Sequence, residues 1–237
     1  IRVTRENPKG EVAALCDPDA EALAEAQKLL SSPVPVFREA AAMLEAGRLD
    51  GVVVAAPQAV HATLTIASLE AGYHTFCEKP MAMSVRECQA MIVAAQQTRK
   101  SLMIGQVLRY IGPYRYVLEL ARSGELGRPV AMRVIRTMGS WGGWRRPWRL
   151  QKAGCGGLFF EINVHEIDLM LCILGEAATV HAVGGKYLDG EVDYEDFLMA
   201  TITFANGAVG SVTSSACDRL GKNSGEIFFE RGTTYYE

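Results

Sequence analysis

The first half of this chain alternates short apolar runs with segments of helical spacing. The run at 51–56, "GVVVAA", is continuous and β-branched, which is typical of a parallel strand buried on both faces. Repeated β-α-β units predict a parallel sheet with helices on both sides. The predicted strands are 11–16, 34–37, 51–56, 73–78 and 101–105, and the clearest helices are 19–30, 59–72 and 84–98.

Three signals mark the ends of the predicted helices. Asp17 and Pro18 fit a cap and first helical position, Gly72 fits a C-terminal cap, and Ser84 with Glu87 forms a capping box.

The pattern changes near residue 108. A predicted helix at 113–123 is followed by longer runs of strand character, and "FANGAVGS" (204–211) carries an Asn-Gly turn that predicts an antiparallel hairpin. We therefore predict two domains, 1–108 and 109–237, the second of α+β class with a large, open, mostly antiparallel sheet. Its predicted strands are 129–138, 178–188, 196–205, 207–216 and 225–230.

Composition excludes several classes of protein. The formal net charge of −3 gives no electrostatic case for binding nucleic acid or an anionic membrane surface. No apolar run approaches the roughly 20 residues that span a bilayer. Six cysteines without a C-x-x-C pair are typical of reduced core cysteines in a cytoplasmic protein. The pattern H-E-x-x-H is absent, and we predict no metal site.

Polar residues gather where the predicted strands of the first half end. Ligands of doubly wound folds bind at this edge of the sheet. In "FCEKPMAMS" (76–84), Lys79 follows such a strand and precedes Pro80, which restricts its backbone to extended conformations. The other polar or proline positions at strand ends are Asp17, Pro57, Gln58, Glu78, Gln106 and Arg109.

Asp17 has two compatible interpretations. It can cap a helix, or it can bond the ribose hydroxyls of a dinucleotide from the end of the second strand. Such an acidic residue stands about 20 positions after a glycine-rich phosphate loop, so we expect that loop to precede Ile1.

A second constellation lies in "CGGLFFEINVHEIDLMLCILG" (155–175). On a helix, Glu161, His165 and Asp168 share one face. A histidine beside a carboxylate can exchange protons near neutral pH, although an amphipathic helix with a histidine at the edge of the core would show the same pattern.

All three tryptophans lie in "SWGGWRRPWRLQKAG" (140–154), among basic residues. Stacking on single-stranded nucleic acid is disfavoured by the acidic net charge. The alternatives are a loop that lines a sugar site, with Trp148 and Arg149 as ligands, and a solvated loop with packed indoles.

The motifs "ALCDPD", "AAPQAVH", "EAGYHTFCEKPMA", "GQVLRY" and "GGLFFEINVHEID" occur in this order. Together they resemble the glucose–fructose oxidoreductase, inositol dehydrogenase and rhizopine-catabolism family, called Gfo/Idh/MocA, over nearly the whole chain. The resemblance implies an N-terminal Rossmann domain, a C-terminal α+β domain used in homo-oligomers, and hydride transfer between NAD or NADP and a sugar, inositol or polyol.

The resemblance also implies roles for single residues. Lys79 matches the lysine that contacts substrate and nicotinamide ribose, and His165 matches the proton-transfer histidine. Glu161 stands where many members have an assisting aspartate, so it is the third expected catalytic residue, which would orient the ring of His165 or stabilise its imidazolium. The expected cofactor residues are Asp17, Pro57, His61, Glu78, Lys79 and Gln106, with helix packing as the alternative for His61. The expected substrate residues are Arg109, Trp148, Arg149 and Asp168.

Asp17 would repel the extra phosphate of NADP, so NAD is the expected cofactor. Two alternatives share the implied fold: a glycosidase that uses NAD transiently, and a non-enzymatic regulator that senses a dinucleotide. Members of the family are usually longer than this chain, and we expect segments missing at both ends.

Overall fold

The computed structural model describes residues 7, 9–138, 146–188 and 192–237. Its contacts divide the chain into two units. The first unit contains Ile1–Ala56, Val60–Glu78 and Ser84–Met103, and the second contains Pro57–Ala59, Lys79–Met83 and Ile104–Glu237. Two short loops that follow strands of the first half are therefore part of the second unit. The domain boundary predicted after residue 108 stays a prediction.

The first unit has the predicted alternation of strands and helices. Strands β1 and β2 pair in parallel, β3 and β4 pair in parallel, and β5 continues the sheet beside β4. The elements are β1 (Leu15–Cys16), α1 (Ala20–Lys28), β2 (Val36–Phe37), α2 (Ala40–Ala46), β3 (Gly51–Val54), α3 (His61–Glu70), β4 (His74–Cys77), α4 (Val85–Thr98) and β5 (Leu102–Ile104).

The helix caps confirm two predictions and correct one. Ser84 caps α4 by accepting a hydrogen bond from the Glu87 amide, as the capping box predicts. Gly72 follows the end of α3 with a φ of 90°, a left-handed conformation that glycine tolerates. The cap of α1 is Asp19 and not Asp17, because the Asp19 carboxylate accepts from the first free amides of the helix.

Strand β3 does not have both faces buried, so this prediction was wrong. Val52 and Val54 are buried, but Val53 between them is 68% exposed. The continuous apolar run is typical of a strand covered on both faces, but in this structure only one face of β3 is covered.

The second unit is built on a mixed, mostly antiparallel sheet, as predicted. Its strands lie in the order β11-β10-β6-β9-β8-β7, and only the pairing of β6 with β9 is parallel. The elements are α5 (Gly112–Ser123), β6 (Pro129–Thr137), α6 (Lys152–Cys155), α7 (Val164–Leu174), β7 (Ala177–Gly185), β8 (Phe197–Phe204), β9 (Val209–Ser215), β10 (Lys222–Phe229) and β11 (Gly232–Tyr236).

One face of this sheet carries the core. Met132, Val134 and Ile227 lie on the face that packs against α5 and α7, where Val117 and Leu169 are fully buried. The opposite face leaves large apolar side chains exposed, among them Val183, Met199 and Val209. Asn206 and Gly207 form the turn of the predicted hairpin between β8 and β9.

The helix on which Glu161, His165 and Asp168 were expected to share a face is interrupted. Phe159–Asn163 form one π-helical turn, and the regular helix α7 begins only at Val164. Gly156 has a φ of 75°, and a Cβ there would lie 2.6 Å from Cγ of Phe160. The glycine pair therefore allows a tight turn into the π-helical segment that contains Glu161.

The six cysteines are free, but only Cys77 and Cys155 are buried, so the expectation of core cysteines holds for two of them. Among the residues whose structure is described, every helix is too short or too polar to cross a lipid bilayer.

Candidate active site

Lys79 lies in the loop after β4, which is part of the second unit. Its Nζ donates a hydrogen bond of 2.6 Å to the backbone oxygen of Glu161 and lies 3.9 Å from Oε1 of the same residue. The side chain is 18% exposed, and the peptide bond to Pro80 is cis. The ammonium group is therefore held at the π-helical turn and still reaches solvent.

The Glu161 carboxylate is buried among hydrogen-bond donors. Arg149 lies 2.9 Å from Oε1, and Nε2 of Gln58 donates to Oε2. A buried carboxylate needs such partners, because burial of an unpaired charge costs several kcal/mol. Glu161 thus joins three segments that are far apart in the sequence.

His165 follows four residues later, on the first turn of α7. Burial is the main cause that lowers the pKa of its imidazole to about 4, and the positive charges of Lys79 and Arg136 lower it further. The carboxylate that raises this pKa is Asp168. The ring is therefore neutral near pH 7, which is the form that accepts a proton.

Asp168 and Arg109 form a bidentate ion pair. Nε of Arg109 lies 2.7 Å from Oδ2 and its NH2 group lies 2.5 Å from Oδ1. The Asp168 carboxylate raises the pKa of Arg109 through this hydrogen-bonded contact. Both residues were predicted as substrate ligands, and in this structure they bind each other at the rim of the site.

The ion pair between Glu166 and Arg136 was not predicted from the sequence. Glu166 is fully buried, and its Oε1 lies 3.0 Å from NH1 of Arg136 on β6. Burial raises the pKa of Glu166, while Arg136 and Asn163 act in the opposite direction. The sequence contains no local signal for this pair, because its partners are 30 residues apart.

Trp148 and Arg149 belong to a single turn of 3₁₀ helix at Pro147–Leu150. The Arg149 guanidinium carbon lies 4.7 Å from the centre of the Trp148 ring, within the range of a cation–π contact. The tryptophans at 141 and 144, and the part of the predicted loop at 140–145, lie outside the described residues.

Three predicted cofactor residues lie in the first unit. Asp17 follows β1 directly, is partly exposed, and accepts a 2.9 Å hydrogen bond from the Asp19 amide. Nε2 of the buried His61 ring lies 2.9 Å from the backbone oxygen of Ala56. The Glu78 amide continues the ladder between β4 and β3 by donating to Val54.

Pro57, Gln58 and Gln106 lie in the second unit, after β3 and β5. The side-chain oxygens of Gln58 and Gln106 are buried and have no hydrogen-bond partner within the described residues. Nδ1 of His165 is in the same situation among these residues. Buried polar atoms of this kind normally bond a ligand or an ordered water.

The second unit therefore brings together Lys79, Glu161 and His165 with Arg149, Asp168 and Arg109. Sequence reasoning included Gln58 among the strand-end residues but assigned it no role, and it missed Arg136 and Glu166 entirely. Glu166 is part of the "HEID" segment, but a glutamate on an amphipathic helix gives no sign of which face it occupies.

Comparison with known proteins decides the family. Residues 114–235 match the GFO/IDH/MocA C-terminal domain, and residues 1–106 match the oxidoreductase family with an NAD-binding Rossmann fold. The chain belongs to the Gfo/Idh/MocA family. The resemblance in the sequence motifs is thereby confirmed, as is the predicted fold class.

Individual relatives in this family act on sugars. Levoglucosan dehydrogenase of Pseudarthrobacter phenanthrenivorans is 31% identical over 207 residues, which cover 77% of this chain and 53% of that protein. The 1,5-anhydro-D-fructose reductase of Ensifer adhaerens is 27% identical over 78% of this chain and 56% of its own length. The chain spans about half the length of the curated relatives it matches.

Solved structures of the family have the same fold. The WlbA dehydrogenase from Bordetella pertussis, in complex with NADH and UDP-GlcNAcA, has a TM-score of 0.88 and is 25% identical, with 95% of this chain and 71% of that chain covered. GenD2 from gentamicin A biosynthesis, in complex with NAD, has a TM-score of 0.90 at 24% identity, with 99% and 67% covered.

Proposed function

We propose that the protein is an NAD-dependent dehydrogenase that transfers a hydride between nicotinamide and a secondary alcohol or ketone of a sugar, inositol or related polyol. The observation that carries this proposal is the arrangement around Glu161. A lysine ammonium held at its backbone oxygen and a neutral histidine one helical turn later occur in one partly buried site.

The proposed catalytic residues are Lys79 and His165. His165 accepts the hydroxyl proton during alcohol oxidation, because its imidazole is neutral at working pH. Lys79 stabilises the negative charge that develops on the reacting oxygen. Glu161 holds the lysine and Arg149 in place, and Asp168 is the carboxylate that favours the protonated histidine after transfer.

NAD fits the chemistry of the residues proposed to hold it, and it supplies the hydride acceptor when bound. Gln106 offers a buried acceptor oxygen with no hydrogen-bond partner in the described part of the chain, which suits a ligand hydroxyl. Asp17 is proposed to bond the ribose, and Pro57, His61, Glu78 and Lys79 are proposed as further contacts. Arg109, Trp148, Arg149 and Asp168 are proposed to line the substrate side.

The first experiment screens a panel of sugars, inositols and polyols against the full-length protein and NAD, with NADH absorbance as the readout. Net NADH formation that depends on the substrate supports the dehydrogenase. Sugar release without net NADH would favour the glycosidase, and NAD binding without turnover of any glycoside or polyol would favour the regulator.

The second experiment tests Lys79 with the substrate found in the screen. Lys79→Met should lower kcat/KM by about 100-fold or more, with a smaller change in NAD affinity. Lys28→Met is the matched control, because Lys28 forms an exposed ion pair with Glu25. Turnover near the wild-type rate in Lys79→Met would remove the catalytic assignment.

A further inference from the structure

The side-chain amide of Gln58 is buried in the second unit, against the Glu161 carboxylate. It begins the 3₁₀ turn Gln58–Val60 after β3 and is only 3% exposed. Its Nε2 donates to Oε2 of Glu161, a residue 103 positions later in the sequence. Since a carboxylate only accepts hydrogen bonds, the amide nitrogen must be the atom that faces it.

Glu161 in turn contacts Lys79 through both its backbone and its side chain. The lysine Nζ donates to the backbone oxygen of Glu161 and lies 3.9 Å from Oε1 of its carboxylate. The glutamate side chain is anchored on this same Oε1 by Arg149. Hydrogen bonds thus lead from Gln58 through Glu161 to Lys79.

The side chain at position 58 lies beside a set of charged groups around Glu161, so its own charge affects them. Arg149 and Lys79 carry positive charge toward Glu161, and Glu166 of the neighbouring helix is paired with Arg136. Cys155 and Tyr194 are the other titratable neighbours whose pKa is raised, mainly by burial and in part by the Glu161 charge. His165 is neutral near pH 7. A neutral donor satisfies Glu161 without adding charge to this set.

We propose that Gln58 is a positioning residue for Lys79: its amide fixes the Glu161 carboxylate, and Glu161 fixes the lysine. The inference rests on the proposed function only in calling Lys79 catalytic. Its tests use protein stability and the chemical reactivity of Lys79, so they need no substrate, and either idea can fail while the other stands.

The first test replaces the amide by a carboxylate in the full-length protein. In Gln58→Glu, two carboxylates face each other in a buried site, so the pKa of one of them must rise above the value of an unfolded chain. The folded state then binds more protons than the unfolded state, and the variant regains stability as the pH falls. We expect its melting temperature to lie well below that of the wild type at about pH 8 and to approach it at about pH 5.

Two controls separate this effect from general damage. Gln58→Leu removes the amide without adding a charge, so its loss of melting temperature should depend on pH less steeply than that of Gln58→Glu. Gln89→Glu makes the same chemical change at an exposed position of α4 and should leave the melting temperature nearly unchanged. A Gln58→Glu deficit that is constant with pH would show that residue 58 does not face Glu161.

The second test measures the reactivity of Lys79 by competitive acetylation and mass spectrometry. Gln58→Leu should change the rate of Lys79 labelling several-fold, because the Glu161 carboxylate 3.9 Å from its ammonium group is no longer held by the amide, while Lys28 should label as in the wild type. If Gln58→Leu does not fold, Gln58→Asn takes its place, since its amide falls one methylene short of Glu161. Unchanged Lys79 labelling in a folded variant would overturn the proposal.

Discussion

The pKa of His165 leads to a quantitative prediction for the pH dependence of the reaction. A histidine in water titrates near 6.5, but burial together with Lys79 and Arg136 lowers this pKa to about 4. At about pH 5.5, roughly 97% of an imidazole with a pKa near 4 is neutral, compared with roughly 9% at the ordinary value. If the neutral ring is the base, kcat/KM at this pH should be about tenfold higher than an ordinary histidine would allow.

The assay is kcat/KM for alcohol oxidation across the acid range, with full-length protein and saturating NAD. We expect the acid limb to have its midpoint well below 6.5, and His165→Gln to lower the rate and remove the limb. An acid limb near 6.5 that disappears in His165→Gln would refute the electrostatic reasoning. A limb that persists unchanged in His165→Gln would instead assign the base to another group.

The same pKa shift predicts the stability of the protein in acid. Because the folded state binds the His165 proton only near pH 4, the unfolded state binds more protons between about pH 6.5 and about pH 4. The free energy of unfolding should therefore fall as the pH is lowered through this window. In His165→Gln, the free energy of unfolding measured by urea denaturation should fall less steeply across this pH window. An equally steep fall would contradict the lowered pKa of His165.

Three further predictions concern the cofactor, the ion pairs and a helix cap. Asp17→Ala should reduce the preference for NAD over NADP in kcat/KM, and an unchanged preference would count against the ribose contact. Glu161→Gln should lower the free energy of unfolding by about 1–3 kcal/mol in urea denaturation, because Arg149 loses its buried partner. Glu119→Gln removes an exposed ion pair with Arg115 and should lower the free energy of unfolding by less than about 1 kcal/mol. Equal losses in Glu161→Gln and Glu119→Gln would show that burial of the ion pair is unimportant. Ser84→Ala should cost about 1 kcal/mol by the same method, and no loss would mean that the cap hydrogen bond is not stabilising.

The sequence by itself predicted the architecture, and it supplied the candidate site residues that the proposed function uses. Period-2 and period-3.6 patterns predicted most strands and helices of both units, the Ser84 capping box located the start of α4, and the Asn206–Gly207 pair located the hairpin. These features depend on interactions between residues near in sequence, so local patterns contain them. The spacing of Glu161, His165 and Asp168 also predicted one shared helical face, but Glu161 lies in a π-helical turn before the regular helix that contains the other two.

Only the tertiary structure decided which partner each of these side chains has. From the sequence, Glu161 was expected to assist His165, and Asp168 was expected to bind substrate. The fold brings Gln58 to Glu161 across 103 residues and Arg109 to Asp168 across 59. It also places the Lys79 ammonium at the backbone oxygen of Glu161, and Asp168 is the carboxylate that raises the pKa of His165. Burial of Glu166 against Arg136 and the exposure of Val53 were equally absent from the local pattern. The physical reason is that burial and electrostatic pairing depend on distances between segments far apart in the chain, which no local periodicity records.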